Sequence, residues 1–279
     1  MSYKTILVHV DDAKGATARI ELAARLALLD DAHLIGSAMT GVSRYLIDAA
    51  MANAGMASIE PYLDALRQRT ERTLVPFEEA ARRLGVRSIE KRTTDDDATS
   101  GLALQARYCD LLVLGQYDPD GQAPPTYANL PEYAAINGGA PVLIVPYSGD
   151  HHSAGRRALV AWNGSIEAAK AVRSALPLLR RAEMVEVAVF NPATQGEAHG
   201  EQPGADIALY LARHGIRVDV LQEATHTDVG DALLSLAANL NSDLLVMGCY
   251  GHSRFREVLL GGATRTMLRT MTLPVLMEH

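Results

Sequence analysis

The sequence predicts an α/β fold built as two tandem, doubly wound domains, each with a five-stranded parallel sheet. Three observations carry the prediction: an internal duplication, an alternation of short apolar runs with helical patterns, and paired glycines after one of those runs. The duplication is direct. Asp110-Leu111-Leu112-Val113-Leu114-Gly115-Gln116-Tyr117 returns 133 residues later as Asp243-Leu244-Leu245-Val246-Met247-Gly248-Cys249-Tyr250. The same offset carries Ala140-Pro141-Val142-Leu143-Ile144 onto Leu273-Pro274-Val275-Leu276-Met277. Nearer the start of each copy, Leu84-Gly85-Val86-Arg87 matches His214-Gly215-Ile216-Arg217 at 130, and Ile6–Asp11 matches Ala158–Asn163 at 152. The falling offset places about 22 extra residues in the first copy, within 41–83. These boundaries predict a first domain over 1–148, a polar linker over 149–155 and a second domain over 156–279.

In chain order, the first copy's strands are expected near 5–10, 34–39, 86–92, 111–115 and 142–146. Those of the second are expected near 157–162, 184–190, 216–222, 244–248 and 274–278. Runs of Val, Ile and Leu with few polar interruptions suit strands covered on both faces. Between them, Thr17–Leu29 places Ile20, Ala23, Ala24, Ala27 and Leu28 on one helical face, and Asp231–Leu240 reads as a further helix. Strand–helix alternation over roughly 130 residues per copy is the signature of a doubly wound sheet, whose ligands sit beyond the carboxyl ends of the strands. The extra segment carries Tyr45, Leu46, Ile47, Met51, Met56, Ile59, Tyr62, Leu63 and Leu66 at helical spacing. Added helix packed on the core is the favoured reading, with a lid or partner surface as the alternative.

Composition bounds the function. Hydrophobic residues make up 48% and charged residues 21%, as in soluble globular proteins. The formal net charge of -7 offers no general attraction to nucleic acid or to an anionic membrane. Cys109 and Cys249 form no metal or redox spacing, and no segment approaches a membrane-spanning length, so a cytoplasmic protein is expected.

The chemistry concentrates after the apolar run Leu244–Met247. Gly248 and Gly251 stand three apart, and Gly261-Gly262-Ala263 then opens a helical segment. Glycines let backbone N–H groups approach a ligand, and a helix N-terminus directs unpaired donors at an anion, so phosphate is a candidate. A tight strand-to-helix turn without a ligand accounts for the same glycines equally well. The pattern Gly248-x2-Gly251-x9-Gly261, the flanking Leu244–Met247 and Pro274-Val275-Leu276, the strand end Val160-Ala161-Trp162-Asn163-Gly164-Ser165, and the loop His252–Glu257 together resemble the universal stress protein family. The resemblance spans the chain as a tandem pair, closely in the second copy and in degenerate form in the first. It implies the adenine nucleotide α-hydrolase-like fold of that family. It also implies that ATP or another adenine nucleotide, with Mg as a candidate companion, binds in the second domain. On that resemblance Ala161, Trp162 and Asn163 would line the adenosine end, with Val189 against the base. Met247, Gly248 and Gly251 would follow the phosphates, joined by His252, Ser253 and Arg254, and Gly261, Gly262 and Ala263 would close the site.

Two departures stand out. Gly262 occupies the place where ATP-binding members carry a hydroxyl, and Asn163 replaces the acid that usually ends the first strand. The first copy departs further: Asp118, Ala128 and Asn129 fall at the positions of Gly251, Gly261 and Gly262, although Asp11 keeps the strand-end acid. The first half is therefore not expected to bind ATP in the family manner. His151-His152 with Asp150 reads as linker in preference to a metal site, and Cys249 as a turn residue in preference to a redox sensor.

Three functions remain in play: a stress-response regulatory protein binding ATP in its C-terminal domain, a slow ATPase at the same site, and a scaffold acting through protein partners alone. Binding is favoured over catalysis, since His252 is the sole candidate base at the turn and the loop offers only Glu257 as a metal acid. Family members pair through their fifth strands, which implies an internal pseudo-dimer here. Homodimerisation of the whole chain is left open.

Overall fold

A computed structural model describes residues 2–54, 60–121, 125–192, 202–251 and 262–279. Two compact units divide the chain, Tyr3–Ala140 and Pro141–His279.

The first unit contains β1 (Thr5–His9), α1 (Ala16–Asp30), β2 (His33–Met39), α2 (Arg44–Ala54), α3 (Glu60–Leu84), β3 (Ile89–Thr94), α4 (Ala98–Ala106), β4 (Leu111–Gly115) and α5 (Leu130–Asn137). Its strands pair in the order β3-β2-β1-β4, all parallel. Ile6–His9 and Leu111–Leu114 are buried without a break, because α1 packs with α3 and α4 with α5 over the sheet. The third strand begins three residues later than expected. Gly85, at φ +87°, ends α3 in a left-handed turn, and Val86 folds back so that its N–H donates to Ala81 O.

The second unit contains β5 (Val142–Val145), β6 (Arg157–Ala161), α6 (Ile166–Leu179), β7 (Met184–Phe190), α7 (Ala205–Arg213), β8 (Val218–Glu223), α8 (Val229–Asn239), β9 (Leu244–Gly248), α9 (Ala263–Thr270) and β10 (Val275–Glu278). The order is β5-β10-β9-β6-β7-β8. Five of these strands run parallel. The sixth, β5, is the strand expected fifth in the first copy; it pairs antiparallel with β10, Val275 opposite Ile144 and Met277 opposite Val142. Strand order turns back on itself between β6 and β9, a switch point of the kind that opens a crevice at the carboxyl edge.

The duplication extends to hydrogen bonding. The Asp110 carboxylate accepts from the N–H of Lys4 (2.7 Å) and Thr5 (2.9 Å) at the start of β1. Its counterpart Asp243 accepts from Arg156 (3.2 Å) and Arg157 (2.9 Å) at the start of β6, and also from Gly155 N and Ser153 Oγ. In both halves one carboxylate before the fourth strand satisfies otherwise unpaired donors at the entry of the first.

The extra residues of the first copy form α2 and lengthen α3. Only one stripe of α3 is buried: Leu63, Thr70, Leu74, Phe77, Ala80 and Ala81. Phe77 sits on Gly36 of β2, where any Cβ would lie 2.5 Å from the ring, so this glycine is what lets α3 reach the sheet. Ile47 and Leu63 are core, as the packing reading expects, whereas Tyr45, Leu46 and Tyr62 are exposed. The side chain of Met51, and all of Met56 and Ile59, lie outside the described residues.

Candidate functional site

Parallel pairing gathers the carboxyl ends of β6, β7 and β9 at one edge of the second unit. Ala161 stands opposite Met247 on one side and Ala188 on the other. Residues distant in sequence thus meet at the switch point. Trp162 N–H donates to Ala188 O at 2.9 Å, which extends the β6 backbone one residue past the strand and leaves its indole half-buried. Asn163 is exposed, and its Oδ1 accepts from Ser165 N–H at 3.1 Å. Ser165 then caps α6, its hydroxyl accepting from Ala168 N–H at 3.1 Å. Val189 is wholly buried; a Cβ on Gly204, at the start of α7, would lie 3.2 Å from its Cγ2. Met247 is also buried.

Gly248 is the tightest point. A Cβ there would fall 2.4 Å from Ala168 N and 2.6 Å from Glu167 C, so only glycine lets the end of β9 touch the first turn of α6. Beyond it Cys249 is 1% exposed, its thiol shielded from solution. Tyr250 takes φ +51°, turning the chain towards Gly251. Gly262 caps α9 through its backbone alone, without a side-chain bond. Ala263 O lies against Gly230 at the start of α8, so the beginnings of α8 and α9 converge. Among the predicted site residues, then, Ala161, Trp162, Asn163, Met247, Gly248 and Gly251 come together around the edge of β6 and β9, with Gly262 and Ala263 at the start of α9. His252, Ser253, Arg254 and Gly261 lie outside the described residues.

Sequence reasoning missed Glu167. Its residue is 6% exposed, and its Oε2 is buried without a hydrogen-bond partner among the described residues. A Cβ on Gly251 would stand 3.2 Å from that same oxygen. A carboxylate therefore rests between the first turn of α6 and the Gly248–Gly251 turn. The signal was available: Glu167 precedes Ala171 by four and shares the buried face of α6, where a lone charge is out of place.

The equivalent edge of the first unit is filled by its own side chains. Arg19, a buried charge on α1, crosses the end of β4, where a Cβ on Gly115 would lie 2.2 Å from Nη1. Its Nε donates to His9 O at 2.9 Å and its Nη2 to Asp11 Oδ1 at 2.7 Å. Burial acts to raise the Asp11 pKa, but the Arg19 guanidinium outweighs it and holds the carboxyl at about 2. His9, 2% exposed, is pushed down to about 4 by burial, against the pull of Asp11. Tyr127 stands edge-on to His9 at 5.8 Å between ring centres. Burial and the Asp11, Asp97 and Asp12 carboxylates push its phenol up to about 12. Asp118, which stands in the place of Gly251, caps a local turn by accepting from Asp120 N–H.

The extra segment, α2 and the lengthened part of α3, adds a second closure. Arg44 pairs with buried Asp96 (2.7 Å), Arg67 with Asp95 (2.5 Å) and Arg69 with Asp12 (2.5 Å). All three acids follow the carboxyl ends of β1 or β3. The extra segment therefore neutralises the acids of this edge, a role that apolar spacing could not disclose.

In the linker, His152 pairs with Asp150 at 2.7 Å, while His151 Nε2 meets Ser148 O at 2.9 Å. The two rings have separate partners.

Comparison with known proteins agrees with this architecture. Residues 155–279 match the model of the universal stress protein family. No curated protein matches the chain. Among solved structures, a universal stress protein from Archaeoglobus fulgidus DSM 4304 is similar at a TM-score of 0.71 and 15% identity, over 98% of this chain and 95% of that one. A functionally unknown protein from Pseudomonas aeruginosa PAO1 is similar at 0.57 and 16%, over 99% and 92%. At these identities the likeness is one of fold. Residues 155–279 thus match the universal stress protein family, and the whole chain shares an α/β fold with a solved universal stress protein.

Proposed function

We propose that the chain is a stress-response regulatory protein that binds an adenine nucleotide, ATP in the first instance, in its second half. The observation that carries the reading is the contact of Gly248 with the first turn of α6 at the β6–β9 switch point. It sets a turn of backbone beside a helix N-terminus, the arrangement that accepts phosphate. Trp162 and Asn163, half-buried and exposed, offer surface at the adenosine end, while Val189 and Met247 form the floor beneath it. Gly251, Gly262 and Ala263 carry the phosphate side, with His252, Ser253, Arg254 and Gly261 assigned to it on sequence grounds. The first half takes no nucleotide in this manner, because Arg19 occupies the corresponding space. Metal fits as a companion in one respect: the Oε2 atom of Glu167 is a buried oxygen with no hydrogen-bond partner among the described residues.

The test begins with protein purified without added nucleotide, denatured, and its released small molecules identified. Calorimetry with ATP, ADP and AMP follows, with Gly251→Asp, which copies Asp118 of the first half, as control. Binding to the native chain and its loss in Gly251→Asp is the expected result. A native chain that carries no nucleotide and ignores all three would leave a scaffold acting through protein partners.

A further inference from the structure

The two halves place opposite charges near the ends of their fourth strands, the guanidinium of Arg19 at Gly115 and the carboxylate of Glu167 at Gly251. In the first, the glycine that ends the fourth strand, Gly115, faces the guanidinium of Arg19, which neutralises the strand-end acid Asp11. In the second, the matching Gly248 meets the backbone and Cβ of Glu167, whose carboxylate lies against Gly251, three residues further on, and the strand-end acid has become Asn163. The first half thus carries its acid and its cation together. The second, among the described residues, carries an acid without a paired cation.

That acid is not on the surface. Glu167 is buried, its Oε2 lacks a partner among the described residues, and the oxygen points at the turn through Gly251. Glu167 stands in the first turn of α6, where the helix dipole favours an acid, but leaving its buried oxygen without a donor is unfavourable. The helix N-terminus beside it would attract the phosphates of a nucleotide, yet Glu167 would repel them. A divalent cation removes that conflict, since Mg²⁺ is held by one or two carboxylates together with substrate phosphates. We propose that Glu167 is the protein's own ligand for a divalent cation carried on the nucleotide's phosphates, so that the second-half site takes the metal-loaded nucleotide and rejects the free one. This rests on the nucleotide reading above and gives it a condition: entry depends on the metal.

The experiment measures ATP binding by calorimetry to the full chain, once in Mg²⁺ and once in EDTA, for the native protein, Glu167→Gln and Glu167→Asp. For the native chain, Mg²⁺ should tighten binding by about tenfold or more, the effect of one well-placed charge contact. In Glu167→Gln, free ATP should bind more tightly than it does to the native chain and Mg-ATP less tightly, so that the two affinities converge. Glu167→Asp, which keeps the charge and withdraws it by one methylene, should retain part of the preference. Mn²⁺ bound in the presence of ATP, followed by its paramagnetic resonance, should weaken in Glu167→Gln as well. An unchanged Mg²⁺ preference in Glu167→Gln would overturn the assignment. Equal weakening with and without metal would also overturn it, and would assign the carboxylate to a ligand hydroxyl instead. Failure of the native chain to bind ATP in either condition would sink the nucleotide reading itself, whereas binding that ignores both metal and substitution sinks only the role of Glu167.

Discussion

Replacing Arg19 by Met keeps the length of the side chain and removes its charge, which isolates the ion pair at the edge of the first unit. Asp11 Oδ1 would lose a 2.7 Å partner and His9 O a 2.9 Å donor, both in a site with little access to water. Removing one member of a buried pair costs about 3–5 kcal/mol. The carboxyl's part follows from its own shift. A pKa of about 2 against an ordinary 3.8 corresponds to about 2.4 kcal/mol. The sign is that of a depressed acid: stability is present above pH 3.8 and is lost as pH falls through 2. Without Arg19, burial dominates and the Asp11 pKa lies above its ordinary value. The variant therefore binds a proton on folding, and its deficit against the native protein is largest near pH 7 and shrinks as pH falls towards 4. Urea unfolding at several pH values, with hydrogen exchange in β1 and β4 reporting the first unit, measures this directly. The double variant Asp11→Asn/Arg19→Met should regain at least half the loss. A deficit below about 1 kcal/mol would refute the reasoning, and so would one that stays constant from pH 7 to 4, since a packing defect alone has no pH dependence.

His9 supplies an independent titration. Its folded pKa of about 4 against 6.5 means that the unfolded chain takes up a proton first, so about 3.4 kcal/mol is lost between pH 6.5 and 4. His9→Gln should flatten stability over that window, and an unchanged slope would show that the ring is not buried neutral. Gly248→Ala should cost about 3 kcal/mol in the second unit, the upper range for overpacking, because both atoms it meets are backbone. Normal unfolding of that variant would disprove the close approach of β9 to α6. Asp243→Ala, which strands three N–H donors and a hydroxyl, should destabilise more than Asp110→Ala, which strands two N–H donors. Denaturation of the pair ranks them, and the reverse order would contradict the hydrogen bonding described.

Most of the fold could be read before any coordinates. The central strands follow from the apolar pattern because each is buried on both faces and so reads as an unbroken apolar run, as Leu111–Leu114 and Leu244–Met247 do. Boundaries moved where backbone conformation decided them, as at Gly85 before β3. The glycines read from the sequence lie at the carboxyl edge of the sheet, since a glycine requirement is local. What they meet is not local. Arg19 against Gly115 and Glu167 against Gly248 are contacts between a helix and a strand about 80 or more residues away in sequence, and a charge on an apolar helix face announces burial without naming its partner.

The sequence by itself determined the duplication, the class of fold and the glycines that gather at one edge of the sheet, because each is a matter of repeated pattern and of backbone freedom at single positions. Only the tertiary structure decided that the first half fills that edge with its own guanidinium while the second leaves a carboxylate facing it. That difference depends on which side chains the packing of α1 and α6 carries to the ends of β4 and β9, and side-chain meetings across a sheet are set by three-dimensional register.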